Sequence, residues 1–203
     1  MSAKMMKLGW FKKTYGVLSG CLFKGAFAGV FITAACALSA CSSTEPPPGV
    51  TPVSQFDVKR YEGTWYELAR FEHSFERGMT NVSAHYSLQA DGSVRVLNRG
   101  YDPSSKQWKQ AEGKAFFTQS PSVGSLKVSF FGPFYGGYHV VMLDPDYRWA
   151  LVVGPDLGYC WLLARDKQLT PEQMKPVLQF AEKIGIAIQS LTWVPQTMRD
   201  NAS

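Results

Sequence analysis

Thiols, imidazoles and carboxylates are the groups that would carry chemistry in this chain, and their placement argues against catalysis. Cys160 stands between Tyr159 and Trp161 in an apolar run. A free cysteine in such a setting behaves as a small buried hydrophobe, with no cationic neighbour to make it a nucleophile. His73, His85 and His139 are far apart in the chain and lack the paired spacing of a zinc or haem site. No metal ligand and no cofactor are therefore expected. The stretch "GPFYGG", 132–137, lacks the Lys-Ser/Thr of a phosphate loop and reads as a turn or rim. No catalytic residue is assigned. What remains to explain is "GTWYELAR", Gly63 to Arg70, a strand-like segment that carries Glu67 and Arg70 among its apolar residues.

Charge narrows the function classes further. The formal net charge is +5, but Lys4, Lys7, Lys12, Lys13 and Lys24 all precede residue 41 with no acid among them. Beyond that point basic and acidic residues balance, so the part that folds has no electrostatic footprint for nucleic acid. The lysines lead into "GAFAGVFITAACALSA", an apolar run of about sixteen residues, too short for a comfortable membrane span and suited to an export signal. It ends in "LSAC", Leu38 to Cys41, which resembles the lipobox of bacterial lipoproteins. That resemblance implies cleavage before Cys41 and acylation of its thiol and new amino terminus, a membrane anchor that is close to irreversible at roughly 0.8 kcal/mol per buried CH₂. Ser42 in the next position favours the outer membrane.

The elements follow from the rest of the pattern. Residues 41–55, with "SSTEPPPGVTPVSQ" after the cysteine, read as an extended tether holding a domain roughly 40 Å from the lipid at about 3 Å per residue. Residues 1–40 form the signal, 56–196 the folded domain and 197–203 a tail. Within that domain Cys160 is the sole cysteine, so no intramolecular disulfide is available. From Gly63 to Arg165 roughly eight apolar runs alternate with turn residues such as Asp91-Gly92, Gly136-Gly137 and Asp144-Pro145-Asp146, at the spacing of an antiparallel meander. Strand parity places Val94, Val96, Asn98, Ala115, Phe117, Leu126, Val128 and Phe130 inside, opposite Arg95, Arg99, Lys114, Lys127 and Ser129. A helix is expected only afterwards, in "LTPEQMKPVLQFAEKIG", with Thr170 as cap, Pro171 in the first turn and Gln173 completing a capping box. Pro176 is awkward there unless it falls in the first turn. A short strand, "IQSLTWVP", ends the ordered part.

This is an all-β architecture: an eight-stranded antiparallel up-and-down barrel, one C-terminal helix on its wall, and a short extra strand. "GTWYELARFEHSFERG" resembles the first conserved motif of the lipocalins, specifically the bacterial outer-membrane branch related to apolipoprotein D, with Gly63 and Trp65 in the family's Gly-x-Trp. Asp144-Pro145-Asp146-Tyr147 matches the second motif in part, and Arg165 in "LLARD" the third. "SFFGPFYGGY", Ser129 to Tyr138, is similar to the bacterial branch. The resemblance implies structural roles for Gly63, Trp65, Tyr147 and Arg165, with Trp65 plugging the barrel floor and the Arg165 guanidinium stacking on its indole. One lipocalin branch carries a reactive thiol, but near the start of the barrel, so that role does not transfer to Cys160.

An eight-stranded barrel of this type is wide enough for one small ligand. The expected lining is Val82, Ala84, Tyr86, Val96, Asn98, Phe117, Leu126, Val128, Phe130, Tyr138, Val140, Met142, Trp149 and Leu151. The resemblance implies a fatty acid or lysophospholipid as ligand. A chain of about sixteen carbons supplies roughly 13 kcal/mol gross, enough for micromolar binding after association costs. The competing reading is a lipid-anchored structural or protein-interaction module whose barrel is simply filled. The sequence leaves a homodimer open.

Overall fold

Runs of β-branched and aromatic residues punctuated by Gly, Asp and Pro fold back strand upon strand. A computed structural model describes residues 44–198. The export signal, Cys41 and the last residues of the tail lie outside the described residues. A four-residue helix, α1 (Val58–Tyr61), precedes β1 (Gly63–Arg70). Then come β2 (Thr80–Leu88), β3 (Val94–Asp102), β4 (Gln107–Phe117), β5 (Ser125–Phe131), β6 (Phe134–Leu143), β7 (Trp149–Val153) and β8 (Cys160–Ala164). Each pairs antiparallel with the next, and β1 pairs with both β8 and β2, so the sheet closes on itself. Closure removes the open edges that a meander of this length would otherwise present to solvent.

The seam is tightest near the start of β1. Its pairing with β2 runs from Gly63↔Tyr86 to Tyr66↔Ser83, after which β1 bulges between Glu67 and Ala69. The C-terminal segment fills the gap above. β9 (Thr192–Trp193) pairs with Ala69 and Arg70, and the Gln196 amide donates to the carbonyls of both Glu67 and Val82. The segment expected to be one strand is thus divided, because Ile188–Ser190 forms a 3₁₀ turn and only Thr192 and Trp193 extend.

Helix α2 (Pro171–Lys183) starts as its sequence demands. Thr170 Oγ1 accepts from the Gln173 N–H, and the Gln173 side chain accepts from the Thr170 N–H. Pro176 stands past the first turn, where its ring removes a donor from the helical ladder. Val177 and Ala181 are buried against Leu68, Trp149, Leu151 and Leu162 on the outer wall of the barrel.

The chain before the barrel is not a free tether. The Val53 N–H donates to the Val140 carbonyl, the Gly124 N–H donates to Val53, and the Phe56 N–H donates to Ser122. Val50 is buried in the same outer cluster as Val141 and Val153. Residues 44–55 therefore lie against the barrel wall, which corrects the expected 40 Å spacer. Prolines forbid a helix or a central strand, but they do not prevent one or two backbone groups from capping an existing sheet.

Because the strands alternate in direction, the barrel has two distinct ends. The beginnings of β1, β3, β5 and β7 share one end with α1 and the connections 89–93, 118–124 and 144–148. Arg70, at the far end of β1, shares the other with the connections 71–79, 103–106, 132–133 and 154–159.

Candidate functional site

The end next to α1 is closed by aromatic packing. Trp65 is fully buried and donates through Nε1 to the Tyr61 carbonyl at 2.8 Å. Tyr61 lies 4.6 Å from the Trp65 ring and 5.3 Å from Tyr86, with Phe56 at 5.0 Å. The Arg165 guanidinium sits 4.0 Å over the indole and donates to the carbonyls of Arg60, Glu62 and Thr64 at 2.8 Å each. Gly63 has φ +91°, which favours glycine, and a Cβ there would come within 3.3 Å of the Arg165 Nη1, so that the guanidinium would have to shift. Tyr147 also has positive φ, its hydroxyl accepts from the Asp57 N–H, and Arg60 stacks on its ring at 4.1 Å. All four motif residues thus meet in one bracket that fastens α1 across the barrel bottom.

Above this floor the interior wall is apolar with a tyrosine bridge. Tyr138 Oη lies 2.8 Å from the hydroxyls of both Tyr61 and Tyr86, spanning from β6 to β2. Burial pushes all three phenols above their ordinary range, so they act as neutral hydrogen-bonding groups. Ala84, Tyr86, Val96, Phe117, Leu126, Val128, Phe130, Tyr138 and Val140 pack in the interior cluster. Asn98 joins them by pairing with Ala84, and its Oδ1 is buried without a partner. Val82 lies where a Cβ on Gly100 would meet it at 3.3 Å. Phe130 folds its ring over Gly113, whose missing side chain makes room for it.

Three expected lining residues face the other way. Met142, Trp149 and Leu151 pack in the outer cluster beneath α2, not in the barrel. A bulge between Val140 and Met142 shifts parity, so that Val140 and Leu143 point inward while Val141 and Met142 point outward. In β7 the inward residues are Ala150 and Val152, matched by Trp161 and Leu163 in β8. "WALVV" is apolar on both faces because one meets the interior and the other a helix, so parity had no polar residue to anchor it.

The opposite end is not closed by aromatics alone. Arg70, 1% exposed, faces inward opposite Trp161, and Glu67 faces inward opposite Leu163. The guanidinium donates to Glu67 at 2.8 Å, to Glu72 at 2.7 Å and to the Glu76 carbonyl at 2.8 Å; the Glu76 carboxylate lies 3.8 Å from Nε. Three carboxylates thus surround one guanidinium. Burial raises the pKa of Glu67, and burial together with the charge of Glu67 raises that of Glu76. His73 stacks between Phe75 at 5.5 Å and Tyr159 at 4.1 Å, holding the 71–79 connection against the one at 154–159. Sequence reading noticed Glu67 and Arg70 but could not place them; the bulge in β1 is what turns both to the same side.

The other chemical candidates are dispersed. Cys160 is buried in the outer cluster, and burial pushes its thiol up to about 12. His85 pairs with Thr64 and His139 with Ser125, on separate parts of the outer wall. Among the described residues no group of His, Cys, Asp and Glu side chains could hold a metal ion.

Residues 56–196 match the family of lipocalin-like domains. The chain is 53% identical to outer membrane lipoprotein Blc of Citrobacter freundii over 165 residues, covering 81% of this chain and 93% of that one. It is 45% identical to outer membrane lipoprotein Blc of Vibrio cholerae over 151 residues, 74% and 88% of the two chains. Among solved structures, insecticyanin from the tobacco hornworm Manduca sexta superposes with a TM-score of 0.61 at 18% identity, covering 76% of this chain and 87% of that one.

Proposed function

This chain belongs to the lipocalin-like family, and on that premise we propose that it is an outer-membrane lipoprotein that binds amphiphiles with a single acyl chain, fatty acids or lysophospholipids, inside its barrel. Its relatives are named outer membrane lipoproteins, and the sequence carries the matching export signal and Cys41. The lumen suits an acyl chain because its wall is aliphatic and aromatic from Ala84 to Val140. One observation carries the reading. Side chains that point inward, including Val128, Phe130, Tyr138 and Trp161, keep accessible surface although they belong to the interior cluster. A Cβ placed on inward-facing Gly136 would meet nothing within 4 Å. Binding, storage or transfer is the activity this supports, with the polar mouth around Arg70 meeting the head group.

The test is recovery of the full chain from the membrane in mild detergent, followed by mass spectrometry of co-purifying lipids and a tryptophan-fluorescence titration with lysophosphatidylethanolamine and palmitate. A stoichiometric acyl species and saturable quenching are expected. Absence of both would favour the filled-barrel interaction module instead.

A further inference from the structure

Two polar functions face the apolar lumen without being fully used. Asn98 lies two residues along β3 from interior Val96, on the same face, with Ala84 beside it on β2 and Ala111 on β4. Both neighbours are alanines and offer no side-chain partner. The residue is half-buried, and its Oδ1 is enclosed without a hydrogen bond. A buried amide oxygen left in this condition is destabilising, whereas leucine at the same position would carry no such cost. A ligand group that bonds the amide recovers the loss. Asp102, four residues further along the same face of β3, marks the rim, where Lys109 binds it. Asn98 therefore stands about 13 Å inside the mouth.

The tyrosine bridge supplies the second function. Tyr61, Tyr86 and Tyr138 carry three hydroxyl protons, and the two contacts of 2.8 Å among them use two. Whichever way those bonds run, one O–H has no acceptor within the trio, and the rings packed on Tyr61, Phe56 and Trp65, offer none. Tyr138, the shared member, keeps accessible surface. Beside it on the same face of β6 is Gly136, where a Cβ would meet nothing within 4 Å, so space adjoins the hydroxyls. Tyr86 pairs with Val96 and Ala84 with Asn98, which puts the amide one inward-facing position nearer the mouth than the backbone of Tyr86. With a head group at the rim, a polar group at these levels belongs to the middle of a chain, not to the carbons next to the head.

We propose that Asn98 and the Tyr61–Tyr86–Tyr138 trio form a polar waist in the lumen that selects acyl chains bearing a mid-chain hydroxyl over unsubstituted chains of the same length. A hydroxyl both donates and accepts, so it pairs with the Asn98 amide whether Oδ1 or Nδ2 is turned toward it, and it can accept the spare phenolic proton. A ketone at the same carbon only accepts and leaves Oδ1 unpaired. This inference deepens the acyl-chain reading above and rests on it.

The full-length lipoprotein in mild detergent is offered equal amounts of stearate, 12-hydroxystearate and 3-hydroxystearate, and the species that co-purify are quantified by mass spectrometry for the parent, Asn98→Leu and Tyr138→Phe. Partition into micelles is common to the three proteins, so the readout is the change in bound ratio between them. The ratio of 12-hydroxystearate to stearate is expected to fall about tenfold or more in Asn98→Leu, where a paired hydroxyl becomes a buried unpaired one. In Tyr138→Phe, which keeps the ring and removes the shared oxygen, it should fall at least about threefold. The ratio of 3-hydroxystearate to stearate should stay the same in all three. Urea unfolding of the same preparations verifies the fold, and Asn98→Leu should be no less stable than the parent because it removes an unpaired amide. An unchanged 12-hydroxystearate ratio in either folded variant, or an equal fall for the 3-hydroxy isomer, overturns the waist and leaves acyl-chain carriage standing. Capture of none of the three by the parent refutes carriage, and the waist with it.

Discussion

Gly136 offers a direct way to separate a ligand-holding barrel from a solid one. It faces inward opposite Val128, has a φ outside the left-handed region, and a Cβ there meets no heavy atom within 4 Å. In Gly136→Leu the four added carbons would project into the lumen between Tyr138 and the hairpin tip. If an acyl chain lies there, three or four of its methylenes lose their place. At about 0.8 kcal/mol per CH₂ the cost is roughly 2–3 kcal/mol, a thirtyfold to hundredfold weakening of Kd. Stability should move the opposite way, because replacing glycine within a strand stabilises by about 0.5–1 kcal/mol when the side chain fits. The assay is a lysophosphatidylethanolamine titration followed through the interior Trp161 and Trp65, with urea unfolding of the same preparations. A variant as stable as the parent but much weaker in binding fits the cavity. Destabilisation by several kcal/mol would mean that the space is already packed. Unchanged affinity in a stable variant would show that the acyl chain does not pass this strand.

Other perturbations test the two ends and the thiol. Trp65→Ala should cost about 3–5 kcal/mol, since it opens a cavity under Tyr61 and leaves Arg165 without its stacking partner; an unchanged urea midpoint would contradict its role as floor. Glu67 and Glu76 have pKa values raised in the folded state. Between the ordinary carboxylate range and those higher values the folded protein holds more protons than the unfolded chain, so the pair lowers stability as pH rises from about 4.5 toward neutrality. Glu67→Gln should flatten that slope by about 1–3 kcal/mol between pH 5 and pH 8, seen in unfolding curves across the range; an equal slope in both proteins would refute the assignment. Cys160, with its thiol pushed up to about 12 by burial, should react with a small alkylating reagent at pH 8 only in unfolding conditions. Rapid labelling of the native protein would show that the thiol is not enclosed.

Most of the barrel was legible because each strand is bounded by residues with a mechanical reason to turn and because β5 and the closed-end halves of β3 and β4 place charges on one face only, the exceptions being Asp102 and Lys109, which pair with each other near the open end. Lys127 and Ser129 outside were enough to put Leu126, Val128 and Phe130 inside. The helix was legible from Thr170, Pro171 and Gln173 for the same kind of reason. Where both faces are buried the signal disappears. Trp149 and Leu151 serve a wall covered by α2, Ala150 and Val152 serve the lumen, and nothing in "WALVV" distinguishes them. Bulges are equally silent. One in β6 moved Met142 outward, and another in β1 brought Glu67 and Arg70 to the same face. The docking of residues 44–55 left no side-chain pattern to read because much of it runs through backbone groups of Val53 and Phe56.

The two ends of the barrel are held by different chemistry, and the difference bears on which one opens. At the floor, Trp65, Tyr61 and Phe56 are buried, and Arg165 is fixed by three carbonyls and an indole. Opening there would expose a large apolar surface to water, at about 25 cal/mol per Å², with little returned by solvation of polar groups. At the mouth the hub is Arg70, bonded to Glu67, to Glu72 and to the Glu76 carbonyl of the 71–79 connection. Those groups are ones that water solvates strongly, so part of what is lost on parting is recovered by hydration, and the surplus of carboxylate over guanidinium already opposes full ionisation in place. His73 stacked on Tyr159 is the main aromatic clasp across these connections. The 71–79 connection can therefore lift at lower cost than α1 can leave the floor, so a ligand taken up as proposed would pass at the end that carries Arg70.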